Sequence, residues 1–203
     1  MNRVLSLSAD SGLAEIAAEV AAVLRAGSLV VLPTETVYGV MVDAFLADAA
    51  ERIYAAKGRD KGKPLQLLIS DAAVIERMGF ELNEVEKCLA DKFWPGGMTL
   101  VVERGGCSEG FRIPACDITL EVIRQAGGAV RASSANLSGE PPALSVDAAL
   151  GALGDSVSLA VDGGPVVDGV ASSVVRVLSD GKIEMLREGA IRLDAIMAEV
   201  EKL

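Results

Sequence analysis

The chain has 203 residues, 51 % of them hydrophobic and 24 % charged, which excludes general disorder and is long enough to bury a sizeable core. It contains no histidine, so Ser-His-Asp and Cys-His catalysis and imidazole metal sites are all excluded. The net charge is −10 with a pI near 4.6, which argues against a broad nucleic-acid-binding surface, since phosphate neutralisation needs clustered cations.

In chain order, Leu13, Ile16, Val20 and Leu24 recur at helical spacing, with Asp10 or Ser11 as a cap and Gly27 just past the end. Leu29 to Leu32 is a short apolar strand stopped by Pro33. Ala47 to Ala56 reads as a helix and Leu65 to Ile69 as a buried strand. Helices are predicted around Ala72 to Met78 and Asn83 to Phe93. A strand over Thr99 to Val102 opens from the turn Trp94-Pro95-Gly96-Gly97. A helix over Ile118 to Gln125 precedes a strand near Ala129 to Ala132. Beyond Pro141-Pro142 come a helix near Val146 to Leu153, strands near Ser158 to Val161, Ser173 to Val177 and Ile183 to Leu186, and a closing amphipathic helix through Leu193, Ile196, Met197 and Val200. Strands and helices interleave without repeat or linker, which predicts one α/β domain over residues 1–203. No apolar run approaches the roughly 20 residues of a bilayer span, so a soluble cytoplasmic protein without a membrane partner is expected. Cys88, Cys107 and Cys116 match no zinc spacing, and they read as buried or incidental thiols.

Four polar loops interrupt the apolar pattern. Pro33-Thr34-Glu35-Thr36-Val37-Tyr38-Gly39 puts two hydroxyls and a carboxylate after a buried strand, where open α/β sheets bind ligands; it also reads as a capped turn into a helix. Lys57-Gly58-Arg59-Asp60-Lys61-Gly62-Lys63 carries four cations and one anion in seven residues. It suits a small polyanion such as a nucleotide triphosphate, and equally a solvated basic loop. The phosphate-loop string of common nucleotide hydrolases is absent. In Phe111-Arg112-Ile113-Pro114 an Arg among apolar residues is either a bidentate partner for a carboxylate or an edge-strand Arg with its head in water. Ala132-Ser133-Ser134-Ala135-Asn136-Leu137-Ser138-Gly139 holds three hydroxyls and an amide, enough for a sugar, base edge or phosphate, or for a structural turn. Ser172-Ser173, with Arg187 ahead, is a weaker fifth element.

Together these strings, in order and with the Trp94-Pro95-Gly96-Gly97 turn and Thr99-Leu100, resemble the YrdC-like family over about Ala14 to Ile191. Its members make threonylcarbamoyl-adenylate for a tRNA modification beside the anticodon. The resemblance implies a twisted, mostly parallel or mixed sheet flanked by helices, with a concave, positively charged cleft. It implies a nucleotidyltransferase that joins L-threonine, bicarbonate and ATP, with Mg²⁺ accompanying the nucleotide and a downstream threonylcarbamoyl transferase taking the product. By matching position, Thr34, Thr36, Tyr38, Arg112 and Ser172 would serve threonine, Arg112 at its carboxylate. Lys57, Arg59, Lys63, Ser108, Ser134, Asn136 and Arg187 would serve ATP, with Lys57 and Arg59 acting in catalysis. The chain resembles the short form, ending with the first domain.

The family string departs here at four places: Val40 where a second Gly is common, Cys116 where His is usual, Ala171 where an acidic residue is common, and Leu144-Ser145 for Pro-Thr. Two other readings are a tRNA- or double-stranded-RNA-binding module of the same fold without synthase activity, and the carbamoyl-adenylate step of hydrogenase maturation. The acidic body and scarce aromatics weigh against the first. The lack of acylphosphatase-like or zinc-finger segments weighs against the second.

Overall fold

The computed structural model describes residues 3–7, 12–167 and 169–203. The predicted caps Asp10 and Ser11 lie outside them; the first helix, α1 (Leu13–Arg25), starts after Gly12. Gly27 closes α1 as expected, at φ 79° with its N–H donating to Leu24 O at 2.7 Å.

Ten strands form one sheet: β1 (Arg3–Ser6), β2 (Leu29–Leu32), β3 (Gly39–Asp43), β4 (Gln66–Ile69), β5 (Met98–Arg104), β6 (Cys107–Arg112), β7 (Ala129–Ser134), β8 (Val157–Asp162), β9 (Ser173–Val177) and β10 (Ile183–Arg187). Their order is β1-β8-β2-β3-β7-β4-β6-β5-β9-β10. Parallel and antiparallel pairs mingle, so the sheet is mixed. Six further helices follow the predicted positions: α2 (Ala49–Lys57), α3 (Ala73–Arg77), α4 (Glu84–Phe93), α5 (Asp117–Gln125), α6 (Val146–Leu153) and α7 (Leu193–Val200). Asn83 and Glu86 close a reciprocal capping box at α4, with bonds of 2.7 and 2.8 Å.

Three strands have no predicted counterpart. The loop after Leu32 does not turn into a helix; it is the connection of an antiparallel β2–β3 pair, with Leu32 opposite Gly39. The strand β6 pairs antiparallel with β5 through the Gly105-Gly106 turn, both glycines at positive φ. The strand β1 adds in parallel beside β8 at the sheet's edge.

Side chains alternate across each strand, and this divides the core into three clusters. One face carries α1 and α5, packed over Val30, Leu32, Met41, Leu68, Val130 and Leu159. The opposite face carries α2 and α6 over Val31, Val40 and Val42, and α3, α4 and α7 over Leu67, Ile69, Leu100, Val102, Phe111, Val175 and Val177. The cluster under α1 and α5 takes no described residue from β5, β6, β9 or β10. On that face these strands present Thr99 and Val101, Ser108, Gly110 and Arg112, and Val174 and Arg176, each alternating with or flanking core positions. This uncovered stretch of sheet becomes the floor of a cleft.

Candidate functional site

The cleft has a volume of about 540 Å³, within the range of small-ligand sites. Its floor is the sheet face just described together with Gln66, and its walls come from four loops. Eight sequence-predicted residues line it: Thr36, Arg59, Ser108, Arg112, Ser134, Asn136, Ser172 and Arg187. They are scattered over some 150 positions, and the sheet order brings them together. Arg59 follows α2, Ser108 and Arg112 lie on β6, Ser134 ends β7, Ser172 precedes β9 and Arg187 ends β10.

Arg112 sits at the end of β6, only 2 % exposed. Its Nε donates to Gly96 O at 2.9 Å, and its Nη2 donates to Glu35 Oε1 at 2.7 Å and Thr36 Oγ1 at 2.9 Å. Its Nη1 has no protein partner among the described residues, while the side chain borders the cleft. The guanidinium is thus fixed through Nε and Nη2, and the two N–H groups of Nη1 are left for an acceptor such as a carboxylate oxygen. Thr34 stands one step behind. Its Oγ1 lies 2.9 Å from Thr36 Oγ1, donates to Val37 O at 2.6 Å and accepts from the Thr36 and Val37 amides at 3.2 Å. Thr34 therefore shapes the loop that presents Thr36 and borders a separate cavity of about 300 Å³ with Glu35 and Cys116.

Lys57 ends α2, and only 2 % of it is exposed. It lies behind the 134–136 loop and not on the cleft wall, with its Nζ donating to Ser134 O and, at 2.5 Å, to Asn136 O. The Ser138 amide returns a bond to Lys57 O at 2.9 Å, so the two segments lock together. Burial, then the neighbouring Arg59 charge, lower the Lys57 pKa to about 8. The Asn136 Nδ2 donates to Leu137 O at 2.7 Å and Glu140 O at 2.8 Å, leaving its buried Oδ1 without a protein partner among the described residues. Arg59 braces itself on its own loop, Nε to Lys63 O at 3.1 Å and Nη2 to Pro64 O at 3.0 Å. Lys63 meets the site through that carbonyl, and its residue is exposed.

Arg187 donates from Nε and Nη2 to Ser172 O at 3.0 and 2.7 Å, and from Nη2 to Ser172 Oγ at 3.1 Å. Its pKa is lowered by burial, then by the charges of Arg112 and Arg59. Arg187 thus lies within electrostatic reach of both other arginines of the lining. Glu109 and Glu140 also reach the lining, and Arg131 engages Glu109 through two bonds of 2.6 and 2.7 Å.

Tyr38 is placed elsewhere. It is fully buried, its hydroxyl donating to Gly164 O at 2.7 Å and accepting from the Gly163 amide at 3.1 Å, and burial raises its pKa. It pins the 163–164 turn and does not border the cleft. The three cysteines are free; Cys88 and Cys116 are half-buried and Cys107 is exposed. Sequence reasoning passed over Gln66, Thr99 and Arg176. The signal was there for the first two, single polar residues inside apolar strands, and Arg176 is a lone cation in Ser173–Val177.

The Sua5_yciO_yrdC family profile, described as "Telomere recombination", matches residues 22–189. A Mycobacterium leprae protein provisionally named threonylcarbamoyl-AMP synthase is 34 % identical over 98 % of this chain and 94 % of its own length. The threonylcarbamoyl-AMP synthase of Bacillus subtilis is 36 % identical over 90 % of this chain, which spans only 56 % of that enzyme. Among solved structures, Pyrococcus abyssi Sua5 complexed with L-threonine superposes with a TM-score of 0.87 at 32 % identity, covering 98 % of this chain and 60 % of the other.

Proposed function

This chain belongs to the Sua5/YciO/YrdC family, and from that premise we propose that it is a threonylcarbamoyl-AMP synthase, condensing L-threonine, bicarbonate and ATP in the cleft. The observation that carries the reading is Arg112, a buried guanidinium with two N–H groups unspent, beside Arg59, Arg187 and the 134–136 loop. A carboxylate site thereby adjoins a polyanion site in one hollow.

Threonine's carboxylate pairs with Arg112, which leaves its amine free toward the floor. The neutral amine takes up the carbon of bicarbonate, with loss of water, to give a carbamate. A carbamate oxygen then attacks the α-phosphorus of ATP, the bond to the β-phosphate oxygen breaks and pyrophosphate leaves. Such a displacement asks the protein for alignment and charge neutralisation, with little covalent work, which suits a chain lacking histidine. Arg59 and Arg187 face the phosphates. Lys57 acts from behind, holding the Ser134 and Asn136 carbonyls and adding its charge. Among the described residues no three Cys, Asp or Glu side chains gather to hold a metal, and the lining is mainly guanidinium, amide and hydroxyl. Mg²⁺ therefore arrives on the phosphate oxygens of ATP, as part of the substrate.

No helix among the described residues is long and apolar enough to cross a membrane, and the cytoplasm is the compartment that fits a tRNA-modifying role. The test is pyrophosphate release from labelled ATP. Release should require threonine and bicarbonate together; release without threonine, or none with all three present, contradicts the proposal.

A further inference from the structure

The floor of the cleft carries a chain of hydrogen bonds that ends where Thr99 Oγ1 donates to Gln66 Oε1. A guanidinium only donates, so the contact of Arg187 Nη2 with Ser172 Oγ at 3.1 Å makes that oxygen an acceptor. Ser172, 2 % exposed, has one proton to place, and Thr99 Oγ1 lies 2.9 Å away. Thr99 in turn gives its single proton to Gln66 Oε1 at 2.7 Å. With the Thr99 proton spent on Gln66 Oε1, the bond between the two hydroxyls takes the Ser172 proton, and the run reads Arg187 to Ser172 to Thr99 to Gln66. It consumes the carbonyl end of the Gln66 amide and leaves Nε2, which has no partner among the described residues, as a donor at the cleft floor.

The surroundings suit a small polar group there. A Cβ built on Gly110 would stand 3.3 Å from Thr99 Cγ2 and 3.9 Å from Gln66 Cβ, so glycine keeps the floor beside Gln66 open. Arg112 pairs in register with Leu68. Gln66 lies two residues earlier on that face of β4, roughly 7 Å away at strand rise, about the reach of a small amino acid.

Resting on the reading given above, we infer that the Gln66 side-chain amide, oriented by the chain from Arg187, is the donor that reads the side-chain hydroxyl of the amino-acid substrate. The substrate carboxylate engages Arg112, and Gln66 Nε2 donates to the hydroxyl oxygen. Valine matches threonine in shape but lacks the oxygen, so it leaves a desolvated N–H group without an acceptor. That mismatch weakens binding by about 10- to 100-fold. Gln66 is then a specificity residue, and Thr99 and Ser172 position it.

The experiment is calorimetry of L-threonine and L-valine with the wild-type chain, Gln66→Leu and Thr99→Val, with ATP affinity and thermal midpoint as fold controls. Gln66→Leu should weaken threonine about tenfold or more while valine holds or tightens. Thr99→Val, which keeps Gln66 but frees its amide to turn over, should fall between. Unchanged threonine affinity in Gln66→Leu, or equal losses for both amino acids, overturns the inference. Should Gln66→Leu fail to fold, unchanged selectivity in Thr99→Val overturns it instead. A wild-type chain that binds no threonine brings down the synthase reading along with it, whereas failure confined to the variants leaves that reading standing.

Discussion

Glu35→Gln separates the structural role of the ion pair from substrate binding. In the native protein Glu35 Oε1 accepts from Arg112 Nη2 at 2.7 Å, with the guanidinium side chain 3 % and the carboxylate 25 % exposed. Unit charges about 4 Å apart interact by roughly 4 kcal/mol at an effective dielectric of about 20. The partly solvated carboxylate is screened and the variant amide retains a hydrogen bond, which together bring the net cost to about 2 kcal/mol. Arg112 keeps its bonds to Gly96 and Thr36, so its direction survives while its charge loses its counterion. The free variant should therefore unfold at lower urea, and threonine, by supplying a carboxylate, should restore more stability to it than to the wild type. Urea titrations with and without threonine measure both numbers. Equal stability of the two free proteins, or an identical threonine increment in each, would refute the reasoning.

Four further outcomes follow from the same geometry. Arg59→Ala removes a phosphate-facing guanidinium and should weaken ATP at least tenfold by calorimetry while threonine affinity changes less than twofold. Lys57, lowered to about 8 from 10.5, should make ATP affinity fall as pH rises through about 8, because the nucleotide favours the protonated form. Its contribution to folding runs the other way. Between about 8 and 10.5 the unfolded chain holds a proton that the folded one has lost, so this group's share of stability rises with pH, which urea midpoints across that window would register. Tyr38→Phe deletes a hydroxyl bridging Gly163 and Gly164, costing about 1 kcal/mol of stability with threonine and ATP affinities unchanged.

Much of the fold was legible because burial wrote it as periodicity. The 13-residue helix α1, the run Leu29–Leu32 and the strand through Leu67, Leu68 and Ile69 bury faces whose spacing stands out in the sequence. The strand β6 did not, for a reason tied to function. Its cleft-facing positions are Ser108, Gly110 and Arg112, so a strand that lines a polar hollow has the composition of a loop. The strand β3 was hidden by the polar loop before it, which looked like a helix cap. Of the positions that the polar loops and the family resemblance together single out, eight line the cleft. The sequence could not say which polar side chains border the cleft and which lie behind it. Tyr38, Thr34 and Lys57 belong to the second group because their polar atoms are committed to carbonyls, amides and each other's loops, a matter of three-dimensional distance.

The most direct test is a crystal structure of the chain with L-threonine and a non-hydrolysable ATP analogue bound together. The account predicts the threonine carboxylate on Arg112 Nη1 and the phosphates between Arg59 and Arg187, with the amine turned toward the α-phosphate. A nucleotide seated away from these arginines, or a threonine whose carboxylate contacts neither N–H of Nη1, would contradict it.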